Sequence, residues 1–449
     1  MELVISKNAN INYLAKIVDI QTFTPHPDPE TTKLKCTHID GYNIIVGIDS
    51  EPGIYIYFPT SCEINSELLS YANLYRHKER NRDENKSGFF EDNGRVKAIK
   101  LRGIVSEGFL LEWNIFHNFL IDNILQTIEP QVNTEFDSIK CGDKTFWICK
   151  KYIIKTEISH TTKESRYQKR IKKFNRVIDT QFRFHYETAQ IKKIPNAIKP
   201  DDLISITSKI HGTSGISAYV LCKKPVKWYE FWKKYTIDYD YLYSSRSVIK
   251  NANYNKNQNG GYYSCDVWKY ADNYIKPFLI KGMTVYYEIV GFLPNGGYIQ
   301  KNYDYGCIPP KSENDYKPEI NFKVRIYRLT LTNIDGQVHE FSAREVQQWC
   351  KNNGLIPVTE FYYGYAKDLY KDLDISEHWY ENFLEKLSND KNFYMEMDSL
   401  DCNNKVPHEG IVIKKENMIP AAAKLKAFKF LNKEQQQLDA GESNIEDNN

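Results

Sequence analysis

No apolar run in the 449 residues approaches the ~18 residues that a membrane-spanning helix needs. The opening residues, MELVISKNANINYLAK, lack the basic-then-apolar order of a secretory signal. Nine cysteines are scattered singly between Cys36 and Cys402, with no CxxC pair and no His/Cys cluster at metal-ligand spacing. That pattern argues for a reducing compartment and against structural zinc. A cytoplasmic protein is expected, as in a bacterial or phage-infected cell, with no membrane association and no obligatory protein partner evident. Net charge is nearly absent as well. Sixty basic residues against 58 acidic ones leave +2, so only the distribution of charge can argue for a polyanionic partner. Internal repeats are missing too.

What is present is length and a core. The chain exceeds the ~250–300 residues at which one hydrophobic core stops growing, so at least two domains are expected. Residues 1–140 read as short strands with turn punctuation: Leu14 to Ile20, Lys33 to Ile39, Asp40-Gly41, Ile44 to Ile48. This spacing predicts a small β-barrel of the oligonucleotide-binding (OB) kind. Within it, the stretch from Gly94 to Gly103 alternates basic with apolar side chains, which offers Arg95, Lys97, Lys100 and Arg102 to phosphates. An ordinary solvated strand face would read the same way. Residues 141–178 form a strongly basic linker, suited equally to tracking a phosphate backbone or to plain solvation.

Residues 179–431 mix strands and helices. Ser342-Ala343-Arg344-Glu345 is a capping-box start for a helix reaching Asn353-Gly354, and Ser376 to Leu387 predicts another with Trp379, Phe383 and Leu387 on one stripe. Residues 432–449 are polar with almost nothing to bury, which predicts a disordered tail.

The chemistry-bearing residues lie in this second region. Ile204 to Ser208 alternates as a strand, Lys209 to Gly215 breaks the pattern, and Ile216 to Val220 resumes it. Lys209 is thus expected where a strand leaves its sheet for a tight turn, with Gly212 and Gly215 permitting close approach to a ligand. An amine there becomes a nucleophile only if desolvation or neighbouring cations lower its pKa. By itself a lysine followed by a glycine turn is usually structural. Glu288 is the one acid in the β-rich run from Thr284 to Gly291, where a carboxylate needs a partner, a metal or a place on the rim. In Val324 to Leu331, strict alternation places Val324, Ile326, Arg328 and Thr330 on one face and Arg325, Tyr327, Leu329 and Leu331 on the other. Tyr327 there is either a stacking platform or core packing. Glu409 opens the strand from His408 to Lys414. Lys424 and Lys426, at i, i+2 on a strand, point to one face, where they suit a bound anion or solvent.

Read in order, KxxG at Lys209, EIVG at Glu288, RIYRL around Tyr327, EGIVIK at Glu409 and KxK at Lys424 resemble motifs I, III, IIIa, IV and V of the covalent ligase and capping-enzyme superfamily. KIHGT in place of KxDG looks like the RNA ligases that repair RNA. Tyr243-Ser244-Ser245-Arg246 resembles motif Ia, preceded by an unusually long aromatic and basic hairpin insertion from Lys223 to Tyr241. A leading barrel and a chain ending about twenty residues after Lys429 are similar to the Deinococcus-type RNA ligases, which carry an N-terminal OB domain. Ser214 departs from the asparagine common after KIHGT, the segment from Phe182 to Thr188 resembles only loosely an arginine-containing stretch of the family, and motif V can also be framed on Lys429.

The resemblance implies an α+β fold: the OB-like barrel, then an ATP-grasp-like nucleotidyltransferase domain of antiparallel sheets with flanking helices. It also implies ATP and Mg²⁺ or Mn²⁺ as cofactors, and as partner a nicked duplex of RNA or of mixed RNA and DNA. Lys209 would carry AMP, with Lys424 and Lys426 stabilising the transition state. The nucleotide would be held by Ile210, His211, Gly212, Arg246, Glu288, Tyr327, Glu409 and the two lysines. Glu409 and Glu288 would serve the metal, and Arg183 the nucleic acid. The rivals are a DNA ligase, a GTP-dependent capping enzyme, and a catalytically degenerate nucleic-acid-binding protein.

Overall fold

Two-residue periodicity in short apolar stretches favours strands, and the computed structural model arranges them as antiparallel sheets with flanking helices. It describes residues 1–7, 9–124, 127–154, 174–186, 188–226, 234–253, 263, 265–416 and 421–442. Contacts divide the chain into two units, residues 1–154 with 189–197, and residues 155–188 with 198–449. Half of the expected basic linker, residues 155–173, lies outside the described residues.

In the first unit a four-stranded sheet runs in the order Phe109–Glu112, Gly53–Phe58, Ala15–Ile20, Glu135–Phe136. Its central strands are buried on both faces. Ala15, Ile17, Ile56 and Phe58 pack with Leu68 and Phe116 of the helices Ser66–Tyr71 and Trp113–Ile124. Val18, Ile20, Tyr55 and Tyr57 pack with Ile39, Tyr42 and Ile44 of the hairpin Leu34–Ile39/Tyr42–Gly47. Each such side chain fully withdrawn from water contributes roughly 1.5–3 kcal/mol. The unit continues past residue 140, because Lys144–Trp147 pairs with Ser138–Cys141 and Cys149–Lys151 with Cys62–Ile64.

The basic segment departs from a uniform strand. Only Ala98–Leu101 is strand, paired with Ile104–Glu107 across a turn in which Arg102 (φ 46°) and Gly103 (φ 87°) are left-handed. Arg95 is 2% exposed, forms an isolated bridge with Glu63, and lies 5.3 Å from the centroid of the Tyr152 ring. It therefore does not share an outward row with Lys97. Lys97 is half-buried, and Lys100 and Arg102 are exposed. The cause is the buried neighbours Val96 and Ala98, which pull this stretch into the core.

The second unit holds two antiparallel sheets. One includes, in order, Ala421–Lys426, Gly410–Lys415, Leu203–Ser208 and Glu360–Tyr365. The other runs Thr236–Ser245, Thr213–Lys224, Met283–Gly291, Phe322–Thr332, Val338–Glu340. The helix Val267–Ile275 lays Trp268, Ala271 and Ile275 on Val285, Tyr287 and Ile289 of the second sheet. Helix Ala343–Asn353 starts at the Ser342/Glu345 capping box and stops at left-handed Gly354. Helix Trp379–Ser388 buries Trp379, Phe383 and Leu387.

Two expectations are corrected. Strict alternation fails in Phe322–Thr332, where Val324, Ile326 and Leu329 share one core. The pairing of Tyr286 with Arg328 but of Tyr287 with Ile326 leaves Tyr327 as the extra residue of a β-bulge, which turns Tyr327 and Arg328 to the same cavity. Residues 432–439, expected as disordered tail, instead continue the helix Phe428–Asp439. Phe430 and Gln435 are buried there, and Glu434 has a lysine partner, so the polar stretch is anchored by a few contacts that composition does not reveal. Residues 443–449 lie outside the described residues. No described helix is long and apolar enough to cross a membrane.

Candidate functional site

Strand Leu203–Ser208 pairs with Gly410–Lys415 as far as Ser208 opposite Ile411. Lys209 is the first residue past that pairing, and its backbone N–H donates to the Gly410 carbonyl at 2.9 Å. The strand end therefore fixes the root of the side chain, whose Nζ donates to Glu409 Oε1 at 2.6 Å. Glu409 is held in turn by Gly410, whose φ of 137° and neighbour exclude other residues: a Cβ there would lie 2.1 Å from the Leu425 carbonyl oxygen. The same close approach pairs Gly410 with Lys426 and Val412 with Lys424. Ala423 and Leu425 are buried between them, so both lysines project from the opposite face.

The KIHG loop after Lys209 is pinned by hydrogen bonds. The Tyr305 hydroxyl accepts from the His211 N–H at 2.8 Å and donates to its carbonyl at 3.0 Å, while Gln300 Nε2 donates to the Gly212 carbonyl at 2.7 Å. The His211 ring packs edge-on against Tyr303 and Phe430, each with centroids 4.9 Å away, and its Nδ1 lies 3.8 Å from Glu409 Oε2. Gly212 presses on the neighbouring strand, where a Cβ would meet the Ile289 carbonyl at 2.7 Å and Glu288 Oε2 at 3.1 Å.

A cavity opens in front of these groups, lined from both sheets of the second unit. Lys209, Ile210, Arg246, Glu288, Tyr327, Lys424 and Lys426 all line it. Glu409, with its side chain 1% exposed, stands behind Lys209 and Lys426, 3.8 Å from the latter. Glu288 sits in register with Ser214 on one side and Arg325 on the other. The Tyr327 hydroxyl lies 3.3 Å from Ser214 Oγ and 3.4 Å from His185 Nδ1, and burial, with Glu288 nearby, pushes its pKa up.

His185 reports the field of this cavity. Burial, and after it the cations Arg246, Arg328, Lys209 and Lys424, pull its pKa down to about 3. A half-buried imidazole whose charged form is disfavoured by four cationic groups marks a region of positive potential, which favours a polyphosphate. Arg328, also on the cavity wall, makes a bidentate pair with Glu340, with Nη2 to Oε2 at 2.7 Å and Nε to Oε1 at 2.8 Å, and lies over the rings of Tyr186 and Tyr286. Lys414 Nζ donates to the Phe341 carbonyl at 2.7 Å and lies 3.8 Å from Glu340.

Not every predicted residue joins the cavity. Arg183 is exposed and donates to the Gly336 carbonyl at 3.2 Å; its chain neighbours His185 and Tyr186 line the cavity instead. Lys429 pairs with Asp398 at 2.6 Å and is not among the lining residues, so the lysines that face the cavity are Lys424 and Lys426. Arg95, Lys97, Lys100 and Arg102 belong to the first unit. Sequence reasoning passed over Glu434, which accepts from Lys426 Nζ at 2.8 and 3.0 Å. The i, i+4 spacing of Phe430 and Glu434, both acting on the site, was the available signal. Among the described residues, no group of three or more His, Cys, Asp and Glu side chains is placed to hold a metal on its own.

No protein-family model matches the chain, and no curated protein matches it. Solved structures do. The chain is similar to the RNA ligase of Naegleria gruberi in a variant with ATP and Mn (TM-score 0.51, 16% identity, 95% of this chain and 99% of that chain covered). The likeness extends to the same protein with PPi (0.50, 16%, 95% and 100%) and to another variant with ATP and Mn (0.52, 15%, 94% and 99%). At that identity the likeness is one of architecture alone: over 94–95% of its length, this chain shares the fold of that RNA ligase.

Proposed function

We propose that the chain is an ATP-dependent RNA ligase that seals 3′-OH to 5′-phosphate ends, with RNA on the 3′-OH side, through a lysyl-AMP at Lys209. One observation carries the reading. Residues from five separate stretches of sequence, Lys209, Arg246, Glu288, Tyr327 and the pair Lys424/Lys426, converge on one electropositive cavity.

ATP suits that cavity by charge and shape. Its phosphates belong at the lysine end, and its base at Tyr327, whose ring offers a stacking surface. The Lys209 amine attacks the α-phosphorus; a P–N bond forms and the P–O bond to pyrophosphate breaks. Glu409 Oε1, 2.6 Å from Nζ, is in reach of the proton that the amine must lose. An oxygen of a 5′-phosphate end then takes the AMP from Lys209. In the last step the 3′-OH attacks that 5′-phosphorus and releases AMP. Each step develops negative charge on nonbridging oxygens, where Lys424 and Lys426 stand.

A divalent ion that accompanies a nucleotide is typically held by one or two carboxylates together with the phosphates, which fits Glu288 on the cavity wall with Glu409 behind it. Bound there, it would neutralise phosphate charge. The N-terminal unit, as an OB-like module, would contact the duplex through Lys97, Lys100 and Arg102.

The test is labelling with α-labelled ATP. The wild type should become labelled and Lys209→Ala should not; a labelled Lys209→Ala protein refutes the assignment. Labelling by GTP instead would move the chain to the capping enzymes, and sealing that ignores the sugar at the 3′-OH end to the DNA ligases.

A further inference from the structure

The hairpin insertion from Lys223 to Tyr241 has no part in the site just described. Its strands, Thr213–Lys224 and Thr236–Ser245, pair without interruption from Gly215 opposite Ser245 to Lys224 opposite Thr236. Residues 227–233 lie outside the described residues.

The two faces of this ribbon differ. On one, Val220, Cys222 and Leu242 are buried with Phe182 and Tyr286. Both described carboxylates of the hairpin share that face, and both are paired: Asp238 with Lys224 at 2.8 Å, and Asp240 with Arg176 at 2.8 Å. The other face begins under the helix Val267–Ile275, where Tyr219, Tyr241 and Tyr243 pack against the core. Past the helix it runs on through Leu221, Tyr239, Ile237 and Tyr235. Ile237 is 54% exposed and Tyr235 39%.

Three lysines border this strip, each above a ring. Lys276 lies 4.3 Å from the centroid of Tyr241, Lys281 5.2 Å from Tyr239, and Lys223 5.5 Å from Tyr235. The ribbon thus sorts its charge, with acids on one face and lysines with aromatic rings on the other. Cations above aromatic rings on an extended ribbon combine attraction for phosphates with flat surfaces for sugars or bases. The acids on this side, Asp266 and Asp272, are engaged by Tyr243 at 2.9 Å and Ser217 at 2.7 Å beside the helix Val267–Ile275, so the strip beyond the helix presents three cations, and the complementary occupant is a polynucleotide.

We infer that this face is a second nucleic-acid contact, which holds one strand of the substrate away from the joint, with phosphates on Lys223, Lys276 and Lys281. The inference rests on the ligase reading of the cavity. Its reach follows from the register. Tyr239, opposite Leu221, is six residues along the ribbon from Gly215, and Thr236, opposite Lys224, is nine. At ~3.3 Å per residue these positions lie about 20 and 30 Å from the cavity end. At the ~3.4 Å per nucleotide of a DNA duplex, an upper value for the shorter rise of an RNA duplex, that is at least about six to nine nucleotides from the joint.

The experiment measures binding of nicked RNA duplexes, with no divalent ion present, to the full-length protein and to a combined Lys223→Gln/Lys276→Gln/Lys281→Gln variant. One flank of the nick is shortened at a time from about twelve base pairs to about four. The wild type should lose about tenfold or more in affinity when one flank is cut below about six base pairs, and the variant should be insensitive to that cut. The slope of log affinity against log salt should fall by about 2–3 in the variant. Lys209 labelling by ATP should be unchanged, which also shows that the variant folds. Equal flank dependence in both proteins overturns the inference and leaves the ligase reading intact. Failure of the wild type to label overturns the ligase reading instead. As a second variant, Tyr239→Ala should give an intermediate loss on long flanks only; no loss there would remove the rings from the contact.

Discussion

Lys209 Nζ donates to Glu409 Oε1 across 2.6 Å, and the same oxygen lies 3.8 Å from Lys426 Nζ. One buried carboxylate thus holds the proposed nucleophile and one of the lysines that flank it. Removing a single partner of such a group leaves charge uncompensated, which costs more than the pair contributes.

Glu409→Gln should therefore keep the fold but slow transfer of AMP to Lys209 by about 10²-fold or more, because the neutral amide neither takes up the amine proton nor balances the two lysines. Single-turnover labelling with α-labelled ATP measures this. A rate within threefold of wild type would remove Glu409 from the reaction.

Glu434 makes the C-terminal helix part of the site through Lys426. Truncation after Leu431 removes it together with Lys433, which lies 4.0 Å from the centroid of Tyr303, while Tyr303 in turn packs on His211. The truncated protein should melt several degrees lower and adenylylate about tenfold more slowly. Glu434→Gln in the full-length protein should reproduce the kinetic loss with little of the melting change. A dispensable tail would leave both quantities unaltered.

Gly410→Ala places a Cβ 2.1 Å from the Leu425 carbonyl, at a φ that side chains avoid. The strand Ala421–Lys426 must then move, and Glu409 and Lys426 lose their common anchor. The expected cost is on the order of 1–3 kcal/mol of stability, visible in denaturant unfolding, with labelling lost. Gly354→Ala, left-handed at a helix end but with open space around it, serves as control and should leave labelling intact.

Asp272 governs a pH effect. Its carboxyl accepts from Ser217 Oγ at 2.7 Å, yet burial raises its pKa to about 6. The folded protein therefore binds a proton between pH 6 and about 4 that the unfolded chain does not, so this residue adds stability as pH falls through that window and costs stability above it. Asp272→Asn should raise the melting temperature at pH 7–8, by an amount corresponding to at most about 3 kcal/mol, and have no such effect near pH 4. An unchanged or lower melting temperature at pH 8 would show that the carboxylate is better compensated than its burial indicates.

How much of this was legible in the sequence depends on the range of the interaction involved. The helix Ala343–Asn353 was, because a capping box and a terminal glycine act within a few residues of themselves. So was the shared face of Lys424 and Lys426, because strand alternation fixes it. Tyr327 and Arg328 were assigned to opposite faces because a bulge depends on the partner strand Met283–Gly291, and alternation within one strand cannot report it. Arg95 was expected outside for a similar reason: a basic–apolar repeat shows which residues alternate, but not that the core reclaims this stretch.

By itself, then, the sequence determined the local devices: the turn after Lys209, the glycines that let strands close on it, the paired lysines, and the order of these along the chain. Only the tertiary structure decided that Glu409 stands behind Lys209, that His185 rather than Arg183 faces the cavity, and that Glu434, from a stretch with almost no apolar side chains, reaches Lys426. The reason is physical. Local preferences act over one turn or one strand, whereas these contacts join residues up to some 200 positions apart, and only the long-range pairing and packing of strands and helices brings such residues within hydrogen-bonding distance.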